Sequence, residues 1–339
     1  MLLLTPLIAE LEQRYKGAEI DILAEGDIAR DVFATCFSVR NIHCLPRRGF
    51  KHPLAFLGLL LRVRKTHYDL IIDPCIGSNF SRVLTKFLRG RYKLGFDDGP
   101  RGSGLSHAVP RAAAGRHMAR RAIHLLRWQA DTGPTDEGDF PALDIRLTPS
   151  ERAQGLNLLR ELTGSPAQAK LAVVVGIFAN ATGAKRYPAA WWREFIEALC
   201  ESGPTIRIVE LIPMHGHSML GSTWPGYYSS DIRRMAAVMA GMDLLISADC
   251  GVMHLAVAAG VPTVGMFCVT DMAVYEPYGN GSCALLTSGR SARESAERTI
   301  DAHRGLLAGV PADGGSRTRD SATRCPDAET QLPARTPGH

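Results

Sequence analysis

The sequence predicts an α/β protein made of two doubly wound parallel sheets. Continuously apolar runs of strand length alternate with longer runs of helical periodicity, which is typical of parallel sheets covered by helices. The length of 339 residues suits two domains. Residues 68–88 and 242–260 also resemble each other, since each reads as a strand, a loop of small residues and a helix. Two similar Rossmann-like domains would explain both halves.

The individual elements follow from run length and from helix start signals. The strands are predicted at residues 19–24, 69–73, 92–96, 171–177, 205–211, 243–247, 263–267 and 284–287. The helices are predicted at residues 53–65, 79–88, 118–129, 189–200, 232–240, 252–259 and 291–307. Asp231 can cap the helix at 232, Pro188 suits the start at 189, and Ser291 with Glu294 forms a capping box.

The composition excludes several classes of protein. Hydrophobic residues make up 45% and charged residues 22%, which is typical of a globular chain. No apolar run reaches the roughly 18 residues that would span a bilayer, and the N-terminus lacks the features of a signal peptide. The eight cysteines include no CxxC pair, so a structural zinc site has no support. The sequence therefore predicts a cytoplasmic protein, and its net charge of +5 suits anionic lipid or anionic substrates without requiring nucleic acid.

Composition also predicts the domain limits. Thr148 and Pro149 start a helix, and the chain then breaks at Gly164, Ser165 and Pro166, so we place the domains at residues 1–165 and 166–308. Residues 309–339 are predicted to be a disordered tail, because they are too polar to bury a core. Residues 97–115 are predicted to form a long loop.

Residues 248–279 contain the most informative motif. The strand at 243–247 leads through Asp249 and Gly251 into a helix, and ligands of open α/β sheets bind at the carboxyl ends of strands. Gly251 lets a ligand approach the backbone, and a helix N-terminus offers N–H groups to a phosphate. Asp249 could accept hydrogen bonds from a sugar or ribose, and His254 lies in the first helical turn. The alternative is a plain βαβ unit in which Asp249 is an N-cap and His254 a surface histidine.

The same motif resembles the C-terminal signature of the ADP-heptose:lipopolysaccharide heptosyltransferases, glycosyltransferase family nine. The residues in register are Asp249, Gly251, His254, Leu255, Ala256, Ala258, Gly260, Pro262, Thr263, Val264, Phe267, Thr270, Asp271, Tyr278 and Gly279. Residues 184–188 with Trp192 resemble the Lys-x-Trp-Pro segment of that family. Residues 68–73, 92–97 and 117–126 resemble segments of its N-terminal domain, so the resemblance covers about residues 1–308.

The resemblance implies a GT-B fold, in which an acceptor domain and a nucleotide-sugar domain face each other across a cleft. It implies that Lys185 contacts the donor phosphates, although a solvated loop lysine is the alternative. The implied donor-binding residues are Lys185, Asn180, Thr182, Asp249, Cys250, Gly251, Val252 and His254. Cys250 and Met253 stand where the family usually has hydroxyl residues, so the donor could differ from ADP-heptose.

The implied function is an inverting glycosyltransferase that moves heptose, or a related sugar, from a nucleotide donor to a lipopolysaccharide core or similar lipid-linked glycan. It implies no metal and no other cofactor, and His215 with His217 is a weak metal motif. One alternative is a GT-B-like pseudo-enzyme that binds a nucleotide sugar without transferring it. Another is a peripheral protein at the inner face of the membrane, based on a basic cluster around an apolar helix. The cluster is Arg47, Arg48, Lys51, Arg62, Arg64 and Lys65.

The resemblance also implies that the first strand of the acceptor domain is missing. Family members open with a strand and a Gly-Asp loop before a helix, and residues 1–7 already correspond to that helix. The loop would carry the aspartate base, so the catalytic residue is unassigned and expected upstream of Met1. Asp73 and Asp97 lie at strand ends but suit capping or turn roles equally well. We therefore expect a marginally stable first domain and no sugar transfer from a chain that starts at Met1.

Overall fold

The computed structural model describes residues 1–47, 51–97, 104–129, 133–134, 139–164, 172–201 and 206–307. Contacts between Cα atoms group the chain into two units, Met1–Ile145 (unit 1) and Arg146–His339 (unit 2). The predicted tail at 309–339 lies outside the described residues. Within them, no helix is both long and apolar enough to cross a membrane.

Unit 1 alternates strands and helices, and the predicted α/β class is confirmed. Its strands are β1 (Ile20–Glu25), β2 (Val39–Leu45), β3 (His67–Asp73), β4 (Arg89–Asp97), β5 (His107–Pro110), β6 (Trp128–Gln129) and β7 (Gly133–Pro134). Its helices are α1 (Thr5–Arg14), α2 (Ile28–Val32), α3 (Pro53–Lys65), α4 (Asn79–Phe87) and α5 (Met118–Arg127).

The parallel strands of unit 1 form two separate sheets. β1 pairs with β2, and β3, β4 and β5 form the second sheet in that order. Leu7 and Leu11 of α1 pack against Ile20 of β1 and Ile72 of β3, so the helix contacts both sheets. Most apolar side chains of β1 and β3 are only half-buried. Among the described strands, β1 and β3 therefore each present one unpaired edge.

Unit 2 contains a single larger sheet. Its strands are β8 (Val173–Phe178), β9 (Ile206–Leu211), β10 (Gly226–Tyr227), β11 (Leu244–Ala248), β12 (Thr263–Phe267) and β13 (Cys283–Leu286). Its helices are α6 (Pro149–Thr163), α7 (Ala189–Glu201), α8 (Ile232–Met239), α9 (Gly251–Ala259), α10 (Met272–Tyr275), α11 (Ala292–Ala302) and α12 (Arg304–Leu307).

The sheet of unit 2 is fully parallel, with the order β10-β9-β8-β11-β12-β13. This is the 3-2-1-4-5-6 order of doubly wound nucleotide-binding folds. Every residue of β11 and β12 is buried, which explains why their sequences are continuously apolar. The start signals are confirmed, since Asp231 caps α8 and capping boxes open α6 and α11.

Two features of unit 2 differ in detail from the sequence analysis. The helix at 149–163 groups with unit 2, whereas the predicted boundary at 165–166 left it in the first domain. The reason is that Gly155 of α6 lies against the backbone of Ala237 in α8, while Arg233 of α8 binds Glu151 of α6. The helix predicted at 291–307 is interrupted at His303 and continues as α12.

Five strands were not predicted from the sequence, and two of them, β6 and β7, have two residues each and pair with each other. β2 is only partly buried and contains Arg40, Asn41 and His43, so its sequence lacks the apolar pattern that would indicate a strand. β5 lies inside the predicted loop at 97–115 and has four residues, of which only Val109 is buried. β10 has two residues. Short or edge strands lack the continuous apolar run on which the prediction depended.

Candidate nucleotide-binding site

The strand order of unit 2 brings two sequence-predicted loops together. β8 and β11 are neighbours at the centre of the sheet, where the order of the chain reverses. In open α/β sheets, ligands bind beside the carboxyl ends of the strands at this switch point. The loop that follows β8 contains Asn180, Thr182 and Lys185, and the turn that follows β11 contains Asp249 and Cys250.

An ion pair joins these two loops. Lys185 Nζ lies 2.6 Å from Asp249 Oδ2, and the same nitrogen lies 5.9 Å from the ring centroid of Tyr275. The side chain of Lys185 is 34% exposed, whereas that of Asp249 is 6% exposed. The pair therefore presents a partly solvent-accessible cation above a buried carboxylate, at the carboxyl end of the sheet. A mobile anion such as a phosphate can approach the lysine from solvent.

Two contacts hold the lysine loop in place on either side of Lys185. The Sγ of Cys268 donates to the carbonyl of Ala184 at 3.4 Å. The hydroxyls of Tyr187 and Thr287 share a hydrogen bond of 2.6 Å, and Thr287 also donates to the carbonyl of Phe267. Burial raises the pKa of Tyr187, so this phenol stays neutral. The single turn at Gly183–Lys185 is thus attached to the ends of β12 and β13.

The N-terminus of α9 forms the other side of the site. Cys250 occupies the N-cap position, and its side chain makes no capping hydrogen bond. A Cβ on Gly251 would meet no heavy atom within 4 Å, and this glycine does not have a positive φ. Nothing in the described fold therefore requires glycine there, but a ligand that approaches the backbone would. The first N–H groups of a helix and its dipole favour an anion at this position.

The structure differs in two details from the alternative in which this motif is a plain βαβ unit. Asp249 does not cap α9, because the N-cap residue is Cys250 and the Asp249 carboxylate lies against Lys185. His254 is buried in the first turn of the helix and is not a surface residue. It lies three residues after Gly251, so both residues share one helix face.

The remaining predicted residues lie around this pair without contacting it through any hydrogen bond described in the structure. Thr182 is exposed and precedes the Gly183–Lys185 turn without capping it. Asn180 and Val252 are half-buried. Cys250 Sγ lies 3.5 Å from Ser247 Oγ, and burial raises the pKa of this thiol, which favours its protonated form.

Other candidates from the sequence have structural roles. Asp73 is buried at the end of β3, where it accepts hydrogen bonds from Ser81 and Arg82, so its carboxylate stabilises unit 1. Asp97 is exposed at the end of β4. The rings of His215 and His217 stack 5.7 Å apart. Nowhere in the described part of the chain do three or more His, Cys, Asp or Glu residues form a group that could hold a metal.

Sequence reasoning missed Tyr275, Cys268 and Thr287 as neighbours of the site. All three follow β12 or β13, so only the strand order brings them to Lys185. The signal in the sequence is their position after apolar strands, which places them at the carboxyl edge of the sheet but does not place them next to Lys185.

Part of the chain matches the sequence model of a known protein family. Residues 57–302 match glycosyltransferase family 9 (heptosyltransferase). Lipopolysaccharide heptosyltransferase 1 of Pseudomonas aeruginosa is 27% identical over 230 residues, which are 66% of this chain and 61% of that protein. The match thus spans about three-fifths of the relative.

Solved structures of similar fold include three bacterial proteins. A family 9 glycosyltransferase from Veillonella parvula superposes with a TM-score of 0.71 at 17% identity, covering 90% of this chain and 93% of that one. E. coli heptosyltransferase WaaC, determined with ADP-2-deoxy-2-fluoro heptose, gives 0.65 at 19% identity, covering 88% and 95%. E. coli ADP-heptose lps heptosyltransferase II gives 0.67 at 17% identity, covering 91% and 95%. At these identities the likeness shows the fold.

Proposed function

The chain belongs to glycosyltransferase family 9, and from this membership we propose that it transfers heptose, or a related sugar, from ADP-heptose to a lipopolysaccharide core or similar lipid-linked glycan. The observation that carries the proposal is the Lys185–Asp249 pair beside the N-terminus of α9. A nucleoside diphosphate needs positive charge and N–H donors at one point, and this site offers both at the switch point of the sheet.

The proposed roles of the side chains follow from their charge and exposure. Lys185 binds the diphosphate of the donor, with additional hydrogen bonds from Asn180 and Thr182. The backbone of Gly251 and Val252, at the start of α9, receives the phosphate oxygens. These residues supply the cationic and N–H part of the donor site.

The buried polar groups at the other side of the pair suit hydroxyl recognition. Asp249 and His254 would hydrogen bond the ribose and the sugar, because both are polar groups close to the open space at Gly251. Cys250 would lie against the donor without reacting, since its thiol stays protonated. Here a thiol replaces the hydroxyl usual in the family, so a sugar related to heptose is the alternative donor.

The proposed reaction is a single displacement that inverts the anomeric carbon. The acceptor oxygen forms a bond to the anomeric carbon while the bond between that carbon and the diphosphate oxygen breaks. The electron pair of the broken bond leaves with ADP. Lys185 and the α9 N-terminus stabilise the charge that develops on the leaving phosphate. A carboxylate takes the proton of the acceptor hydroxyl. Asp73 is unsuited to this role because Arg82, Ser81 and Thr85 already bind its carboxylate.

A donor screen tests the proposal. The purified chain is incubated with ADP-, UDP- or GDP-sugars and a lipopolysaccharide-core acceptor, and the products are analysed by mass spectrometry, with thermal shift by ADP measured in parallel. We expect a thermal shift with ADP. ADP release with a mass gain on the acceptor would establish transfer and would overturn the expectation, implied by the family resemblance, that a chain starting at Met1 transfers no sugar. Binding of ADP without transfer to any acceptor would support the pseudo-enzyme alternative, and absence of a thermal shift with any nucleotide would contradict both.

A further inference from the structure

We propose that the outer face of α3 docks unit 1 on an anionic lipid surface. This helix is apolar on two sides. Its inner side packs in unit 1 through the buried residues Leu60 and Val63. On its outer side, Leu54, Leu57 and Leu61 recur at helical spacing and form one stripe. They are 85%, 50% and 48% exposed, so packing within the protein does not account for them.

The neighbouring helix α4 extends this apolar surface. Phe80 and Val83 of α4 are 54% and 62% exposed. The ring of Phe80 lies 6.0 Å from that of Phe56 in α3, which brings the first turns of the two helices together. We call Leu54, Leu57, Leu61, Phe80 and Val83 the α3–α4 patch. Single exposed apolar residues are ordinary, but several on adjacent helices indicate an interaction surface.

The stretch of sequence that contains α3 carries charge of one sign. Residues 32–68 contain seven Lys and Arg residues and no Asp or Glu. Lys51 precedes α3, and Arg62 and Lys65 are exposed in its last turn. Arg64 has a separate role, because it donates to the carbonyl of Phe87 and stacks on its ring. Exposed cations therefore lie at both ends of the leucine stripe.

This combination fits lipid better than a second copy of the chain. Exposed leucines with adjacent Lys and Arg match the boundary between acyl chains and anionic headgroups. A symmetric dimer through the same face would place the basic residues of both copies against each other. The contact would be interfacial, since none of the described helices can cross a membrane.

Vesicle flotation tests the proposal without any sugar donor, so its outcome is separate from that of the transferase assay. The purified chain is mixed with phosphatidylcholine vesicles, with or without phosphatidylglycerol, at low and high salt. We expect binding to the anionic vesicles that weakens at high salt. The double variant R62Q/K65Q should bind about 30-fold more weakly, from about 1 kcal/mol per basic residue near an anionic surface. The double variant L54S/L57S should lose at least roughly tenfold.

Matched variants elsewhere in the chain provide the controls. R193Q/R234Q removes two exposed charges from unit 2. F37S removes a fully exposed aromatic ring outside the α3–α4 patch, because Phe37 precedes β2 and α3 follows it. Both should bind vesicles like the wild type, and circular dichroism should show that every variant is folded. Equal binding to neutral and anionic vesicles would overturn the proposal. Wild-type binding by both R62Q/K65Q and L54S/L57S would also overturn it. The same holds if the chain binds no vesicles but forms a dimer that L54S/L57S abolishes and the other variants do not.

Discussion

Replacement of Lys185 by alanine should weaken ADP binding and should also destabilise the fold, and the two effects can be measured separately. A hydrogen bond to a charged group contributes about 1.5–3 kcal/mol, so the Kd for ADP should rise roughly ten- to 150-fold. The Lys185 side chain is 34% exposed and contributes little packing, but its removal leaves the buried Asp249 carboxylate without its ion-pair partner. That loss should cost about 1–3 kcal/mol of unfolding free energy, less than the whole stability of a domain.

A second variant separates these two effects. In the double variant K185A/D249N, the buried charge is gone, so the unfolding free energy should recover toward the wild-type value while ADP affinity remains low. The assay is isothermal titration with ADP together with urea unfolding of the wild type, the single variant and the double variant. Arg193, an exposed residue of α7, supplies the matched control R193A, which should bind ADP normally. Unchanged ADP affinity in both Lys185 variants would refute the assignment of this lysine to the phosphate site.

Three further predictions concern the framework around the site. The methyl group that Gly155→Ala adds would overlap the backbone carbonyl of Ala237, so α6 and α8 must separate. Urea unfolding should show about 1–3 kcal/mol of destabilisation, although alanine has the better helix propensity. A variant as stable as the wild type would contradict this packing. The hydrogen bond from Arg233 lowers the pKa of Glu151 to about 2, so about 3 kcal/mol of stability, present above pH 4.5, should be lost as the pH falls toward 2. Urea unfolding across this pH range should show a shallower decline in Glu151→Gln, and equal declines would count against the ion pair. Amide hydrogen exchange should be faster in β1 and β3 than in β8 and β11, because the former are half-buried with unpaired edges, and equal protection would contradict that description.

The sequence was most informative where burial is most complete. The runs that became β11 and β12 are apolar at nearly every position because both faces of these strands are covered, and their predicted positions agree with the structure to within one residue. By contrast, β2 is partly solvent-exposed and carries polar residues, so its local pattern does not indicate a strand. Burial on both faces therefore determined which strands could be predicted.

The candidate site was only partly predictable for a related reason. The loops of Lys185 and Asp249 could each be placed after a strand, and the resemblance assigned both to the donor. Their pairing could not be derived, because it depends on β8 and β11 being neighbours although β9 and β10 lie between them in the sequence. The same holds for Tyr187 and Thr287, which join the lysine loop to the end of β13. Local patterns identify strand ends, whereas the strand order decides which ends meet.

The roles of the unit 1 carboxylates also required the structure. Asp73 follows an apolar strand, which in sequence suits a cap, a turn residue and a catalytic base equally well. Its burial among Arg82, Ser81 and Thr85 decides for a structural role.

The measurement that tests the nucleotide site most directly is hydrogen exchange with and without ADP. Bound ADP should slow exchange in residues 179–187 and 249–254, which follow β8 and β11, and should leave β1 and β3 unchanged. K185A at the same ADP concentration should lose this protection. Protection confined to other segments, or none at saturating ADP, would contradict a nucleotide site at the switch point between β8 and β11.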